Sequence, residues 1–191
     1  MADHEHNVRE DVRGFLGMLA QMGGVGVEQV GAVVGREQMR ALGALAEAAA
    51  HDLAVIRDLE CPGPAGPIPL RLYDPRESRA AGPCVMFIHG GGFVIGDLDV
   101  YHAVCTEIAR QLDLPVVSVD YRLAPEHPFP AAPDDCEAAA RWIAGSPATL
   151  GRQVTGLVIT GDSAGGNLTI VTTNQLARDP AAVPVLVQAP I

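Results

Sequence analysis

One of the four serines in the 191-residue sequence stands where a nucleophile could be built. Gly161-Asp162-Ser163-Ala164-Gly165 has the form G-x-S-x-G, after the apolar run Leu157 to Thr160 and before the helical periodicity of Ala164 to Arg178. A strand that reverses into a helix within a few residues crowds its own backbone, and small residues beside the serine let that turn close. The hydroxyl is then held out at the strand end, beside helix N–H groups and a dipole that favour developing negative charge. The plainer alternative is a passive serine in a glycine-rich turn. A second pattern, His89-Gly90-Gly91-Gly92-Phe93, follows the strand candidate that begins at Cys84. Three glycines in a row leave backbone N–H groups unshielded, as acyl transfer requires where a tetrahedral oxygen gains charge. A hairpin tip or phosphate loop is the competing reading, but there is no G-x-G-x-x-G spacing and no lysine to complete a P-loop.

Both patterns need elements to position them. Short apolar runs at Leu53 to Leu59, Ile68 to Tyr73, Cys84 to His89, Val116 to Asp120, Leu157 to Thr160 and Val183 to Gln188 predict six strands. Tyr101 to Leu112, Pro133 to Ile143 and Ala164 to Arg178 have helical periodicity between the later runs. This alternation predicts an α/β fold, a mostly parallel sheet with helices on both faces, its opening pair an antiparallel hairpin. From Val8 to Ala49, apolar spacing predicts two amphipathic helices joined by a glycine-rich turn at Gly23, Gly24 and Gly26. The expected organisation is a helical cap segment over 1–50 and a core over 51–191. Cys61 to Pro69 and Ala124 to Pro133, rich in proline, read as ordered surface loops.

Composition removes several functions. Thirteen cations against 23 anions give a net charge of −10, which repels nucleic acid and anionic membrane surfaces. All thirteen cations are arginine, so no Schiff-base or pyridoxal-phosphate lysine exists. Cys61, Cys84, Cys105 and Cys136 form no Cys-x-x-Cys pair, which argues against a zinc site and for isolated thiols in a reducing compartment. The polar start, without a basic n-region or apolar h-region, and the lack of a long apolar run give a cytoplasmic expectation with no membrane partner.

Together with Tyr121-Arg122-Leu123-Ala124-Pro125-Glu126-His127-Pro128-Phe129-Pro130-Ala131, the serine and glycine patterns resemble the hormone-sensitive-lipase-type carboxylesterases, within the α/β-hydrolases. The resemblance runs from the cap helices through Asn167 to the end. It implies an α/β-hydrolase fold, Ser163 as nucleophile and an oxyanion hole from the N–H groups of Gly91, Gly92 and Ala164. His89 would orient the glycine loop, with Gly90 and Asp162 supporting the motifs. Glu126 and His127 would be structural, in a packed loop beneath the site, and the cap helices would cover an acyl pocket. No metal or organic cofactor is implied, and the partner is a small-molecule ester. Val100 and His102 depart from the family, which usually has a hydroxyl residue and an acid there, and this weakens the inference about loop support.

Relatives order their triad as serine, acid, histidine. After Ser163 this sequence holds one acidic residue, Asp179, and no histidine. The expectation is therefore a core incomplete at its carboxyl end after about six strands, with an exposed apolar sheet edge prone to self-association. Without a base, Ser163 is a weak nucleophile, and at most weak residual turnover is expected of it. The sequence alone leaves open a non-catalytic small-molecule binder, a non-functional remnant, and acyltransferase, amidase or peptidase chemistry on the same elbow.

Overall fold

The computed structural model describes residues 8–21, 27–46 and 49–191. The glycine-rich turn expected at Gly23, Gly24 and Gly26 lies outside them. Two helices, α1 (Glu10–Gln21) and α2 (Val27–Ala46), precede the sheet, and α2 is broken at Gly31, with φ 78° and ψ 168°. The strands are β1 (Val55–Gly63), β2 (Gly66–Asp74), β3 (Gly82–Ile88), β4 (Val116–Val119), β5 (Val154–Gly161) and β6 (Val185–Pro190). Between them run α3 (His102–Leu112), α4 (Ala131–Ala144) and α5 (Ala164–Arg178).

All six strands form one sheet in the order β1-β2-β4-β3-β5-β6. β4, β3, β5 and β6 are parallel, while β1 and β2 form an antiparallel hairpin that joins β4 antiparallel. Side-chain alternation divides the core between the faces. Leu70, Leu72, Met86, Ile88, Val117, Val119, Leu157 and Ile159 pack with Ile143 of α4 and Leu168 of α5. Tyr73, Val85, Phe87 and Val116 pack on the other face with Cys105 and Ala109 of α3. Helices thus cover both faces, and the four cysteines are buried within these clusters, none of them in a disulfide.

The loop expected at Cys61 to Pro69 is corrected. Pairing continues through Cys61↔Ile68, Pro62↔Pro67 and Gly63↔Gly66, leaving only Pro64 and Ala65 to turn the hairpin. β4 reaches β2 only from Leu70 onward, so these prolines stand where β2 has one partner and fewer ladder hydrogen bonds to lose.

Candidate active site

The carboxyl ends of β3 and β5, neighbours in the sheet, carry the two loops that sequence reading singled out. Chains leaving parallel strands at this edge commonly form ligand sites. Ser163 follows β5, is exposed, and has φ 52° and ψ −115°, a conformation unusual for a residue with a side chain. The turn is held by Gly165 N–H to the Asp162 carbonyl at 2.7 Å and Asn167 N–H to the Ser163 carbonyl at 3.0 Å. Gly165 is required by proximity: a Cβ there would run into the carbonyl oxygens of Ile88 and His89 at the end of β3.

After β3, the chain turns through Gly90, Gly91 and Gly92. The Gly91 carbonyl accepts from Val94 and Ile95 N–H at 3.1 and 3.0 Å, closing the turn on itself. Gly91 has φ 114°, and a Cβ on it would strike the Ile95 carbonyl. The N–H groups of Gly91, Gly92 and Ala164 donate to no acceptor among the described residues, so they are available to a ligand. Asp162 joins the two loops: one carboxylate oxygen accepts Gly90 N–H at 2.9 Å, and the other accepts the Tyr101 hydroxyl at 3.0 Å. Burial and the adjacent Asp162 carboxylate push the Tyr101 phenol up, keeping it a donor.

His89 is fully buried, stacked on Tyr121 at a ring separation of 4.3 Å. Its Nδ1 donates to the Gly90 carbonyl at 2.7 Å, and the Tyr121 hydroxyl donates to the His89 carbonyl at 2.8 Å. Burial pushes the imidazole down, keeping it neutral, and its buried Nε2 has no partner among the described residues. These contacts place His89 beneath the glycine loop. Among the described residues, no histidine makes a hydrogen bond to Ser163.

Two hollows meet at Gly92. An open cleft of about 680 Å³ is lined by Ser163, Gly91 and Gly92 together with Gly31 and Ala32, so the break in α2 borders the same cleft as the serine. A second hollow of about 330 Å³ is walled by Phe93, Ala124, Pro128, Phe129, Leu168 and Val171, with Asn167, Arg122 and His127 as its polar members. Phe93 is itself left-handed, at φ 64°, and its carbonyl accepts Ala124 N–H at 2.8 Å. Glu126 has a structural partner, Arg36 of α2, 2.7 Å away. No group of His, Cys, Asp or Glu among the described residues is arranged to hold a metal, and no described helix is long and apolar enough to cross a membrane.

Sequence reading missed Tyr101 and the α2 arginines. At the departure noted around Val100 and His102, loop support comes from neighbours instead. Asp97 accepts the N–H groups of Asp99 and Val100 at 3.0 and 2.9 Å, Tyr101 reaches Asp162, and His102 contacts the Tyr73 hydroxyl.

Comparison with known proteins agrees with this geometry. The sequence pattern of a family described as alpha/beta hydrolase fold matches residues 85–191. Esterase LipI of Mycobacterium tuberculosis is 46% identical over 140 residues, covering 72% of this chain and 43% of its own. Carboxylic ester hydrolase LipN of the same organism is 49% identical over 127 residues, covering 66% of this chain and 33% of its own. A hyperthermophilic esterase from the archaeon Pyrobaculum calidifontis superposes with a TM-score of 0.86 at 35% identity, over 94% of this chain and 57% of that one. The chain therefore spans less than half the length of these two curated relatives. The strand order, the serine turn facing a glycine loop and these similarities together show that the chain belongs to the hormone-sensitive-lipase-type carboxylesterases of the α/β-hydrolase superfamily.

Proposed function

We propose that this chain carries the nucleophile and oxyanion hole of a carboxylic-ester hydrolase. The observation that supports this best is the exposed, left-handed Ser163 sharing one cleft with Gly91 and Gly92, whose N–H groups, like that of Ala164, have no acceptor among the described residues. In this reading the Ser163 hydroxyl oxygen adds to the ester carbonyl carbon and its proton passes to a base. The carbonyl oxygen becomes an oxyanion held by those three N–H groups. Collapse, with the base returning that proton to the leaving oxygen, expels the alcohol and leaves an acyl-serine; water, giving a proton to the same base, then adds to the acyl carbon, and the base returns the proton to the serine oxygen as the carboxylic acid leaves. The base is a histidine in related enzymes, and residues 164–191 contain none. Oxyanion stabilisation and binding alone still give on the order of a thousandfold over water in serine hydrolases that lack a triad member.

The two hollows flanking Gly92 suit the two arms of an ester, and their dimensions fit short to medium acyl chains. No cofactor enters the scheme, and the cellular location proposed is the cytoplasm. A second reading, a non-catalytic binder of small apolar molecules, is favoured by the lack of a histidine hydrogen-bonded to Ser163 among the described residues.

An alkyl fluorophosphonate tests the first reading. The expected result is a single covalent adduct on Ser163, absent in Ser163→Ala. A folded protein that takes up no adduct, or equal labelling of Ser163→Ala, overturns it. Saturable binding of an apolar ligand that is unchanged in Ser163→Ala, without ester turnover, would establish the binder.

A further inference from the structure

The cap helix is joined to the glycine loop by one side chain whose geometry exceeds what holding a helix in place requires. The Arg36 guanidinium, on α2, makes four hydrogen bonds to segments 58 to 90 residues away. Its Nε donates to the Val94 carbonyl at 2.8 Å and its Nη2 to the Ala124 carbonyl at 3.0 Å. Its Nη1 and Nη2 grip the two carboxylate oxygens of Glu126 at 2.9 and 2.7 Å.

Val94 belongs to the turn whose other side presents the Gly91 and Gly92 N–H groups, closed by Val94 N–H on the Gly91 carbonyl. Ala124 is in turn bonded through its N–H to the Phe93 carbonyl. The back of the oxyanion turn is therefore fixed at two adjacent carbonyls, Phe93 by Ala124 and Val94 by Arg36. The same arginine also fixes Ala124. At the front, Asp162 holds Gly90 N–H. One turn further along α2, Arg40 holds Asp97 at 2.6 Å, which caps the segment that follows the glycine loop.

The ion pair alone would be a weak reason for this arrangement, because Glu126 is half-exposed and such pairs contribute little. What distinguishes the site is the planar fork, which satisfies two carbonyls and a carboxylate at fixed angles as a lysine ammonium cannot. We propose that Arg36 is a positioning residue for the oxyanion hole, so that the helical cap sets the geometry of the Gly91 and Gly92 N–H donors besides covering the cleft. This inference rests on the proposed role of Ser163 and its glycine loop.

The test measures phosphonylation of Ser163 as a function of alkyl fluorophosphonate concentration, separating the maximum rate from the half-saturating concentration. Small misplacements of positioned groups cost up to about a hundredfold, and loss of an oxyanion donor costs as much or more. Arg36→Ala is expected to lower the maximum rate by about tenfold or more, with the half-saturating concentration changed by less than about twofold. Arg36→Lys should recover part of the rate. Glu126→Gln, which leaves both carbonyl bonds to Arg36 in place, should stay within about threefold of the parent.

A folded Arg36→Ala labelled at the parent maximum rate overturns the proposal, as does Glu126→Gln losing as much as Arg36→Ala. If Arg36→Ala does not fold, Arg36→Lys decides. Amide resonances of Gly91 and Gly92, read from protein labelled with nitrogen-enriched glycine, should shift in it, and unshifted resonances overturn the proposal. Those resonances also decide the matter if the parent protein fails to label, an outcome that would sink the esterase reading separately.

Discussion

At the scale of single residues, the serine turn is a problem of space. Ser163 can hold its left-handed backbone only because the next turn presses against β3, with Gly165 lying under the carbonyl oxygens of Ile88 and His89. A methyl group at Gly165 meets backbone on β3, which cannot move without shifting the sheet. Gly165→Ala is expected to destabilise the protein by roughly 2 to 4 kcal/mol, as overpacking against fixed atoms does. It should also reduce phosphonate labelling of Ser163 by displacing the turn from the glycine loop. Urea denaturation with parallel labelling checks both, and a variant within about 0.5 kcal/mol of the parent would contradict the packing argument. The turns at Ser163 and at Gly90 to Gly92 were legible in the sequence because each lies within a local pattern whose backbone consequences are fixed by its neighbours. Arg36, Arg40 and Tyr101 were not. Their partners are 57 to 90 residues distant, and nothing local distinguishes an arginine that will meet two carbonyls from one left in water.

At the scale of elements, apolar runs and helical periodicity located all six strands and the three helices between them, with bounds shifted by a few residues. β5 begins at Val154 and not Leu157, and β6 runs from Val185 to Pro190 and not from Val183 to Gln188. The hairpin turn was misread because proline content was taken as excluding strand, whereas pairing persists where one neighbour suffices. β6 pairs with β5 alone among the described strands and exposes about half of Leu186 and Val187. An apolar edge with free ladder groups is a template for another chain. The purified 191-residue chain should therefore elute in size-exclusion chromatography as species larger than a monomer, increasingly so with concentration. Val187→Lys should shift it toward the monomer, as a charge on an edge strand does. A parent chain that stays monomeric at high concentration would remove β6 as an association surface.

At the scale of the whole molecule, the end of the sheet opposite Ser163 is held by charge. Asp74, at the end of β2 and fully buried, accepts from the Nε atoms of Arg79 and Arg152, each at 2.7 Å, and from Arg76 N–H at 2.8 Å. Arg79 continues to the Asp113 carbonyl and carboxylate beyond α3, so one buried carboxylate connects β2, the chain entering β3, the end of α3 and the chain entering β5. Asp74→Asn keeps the shape but leaves two nearly buried guanidiniums without their shared charge. A loss of about 3 kcal/mol in urea denaturation is expected, with Ser163 still labelled in the folded fraction. A loss under about 0.5 kcal/mol would mean that packing, not charge, closes this end. The placement of the serine turn and the glycine loop on neighbouring strands has a mechanical consequence. β3 and β5 are paired along six successive register positions, from Pro83↔Gly156 to Ile88↔Gly161, so flexing of the sheet carries the serine turn and the glycine loop together as one frame. The spacing of the two loops therefore follows the β3–β5 pairing, and α2 is tied to that pair through Arg36.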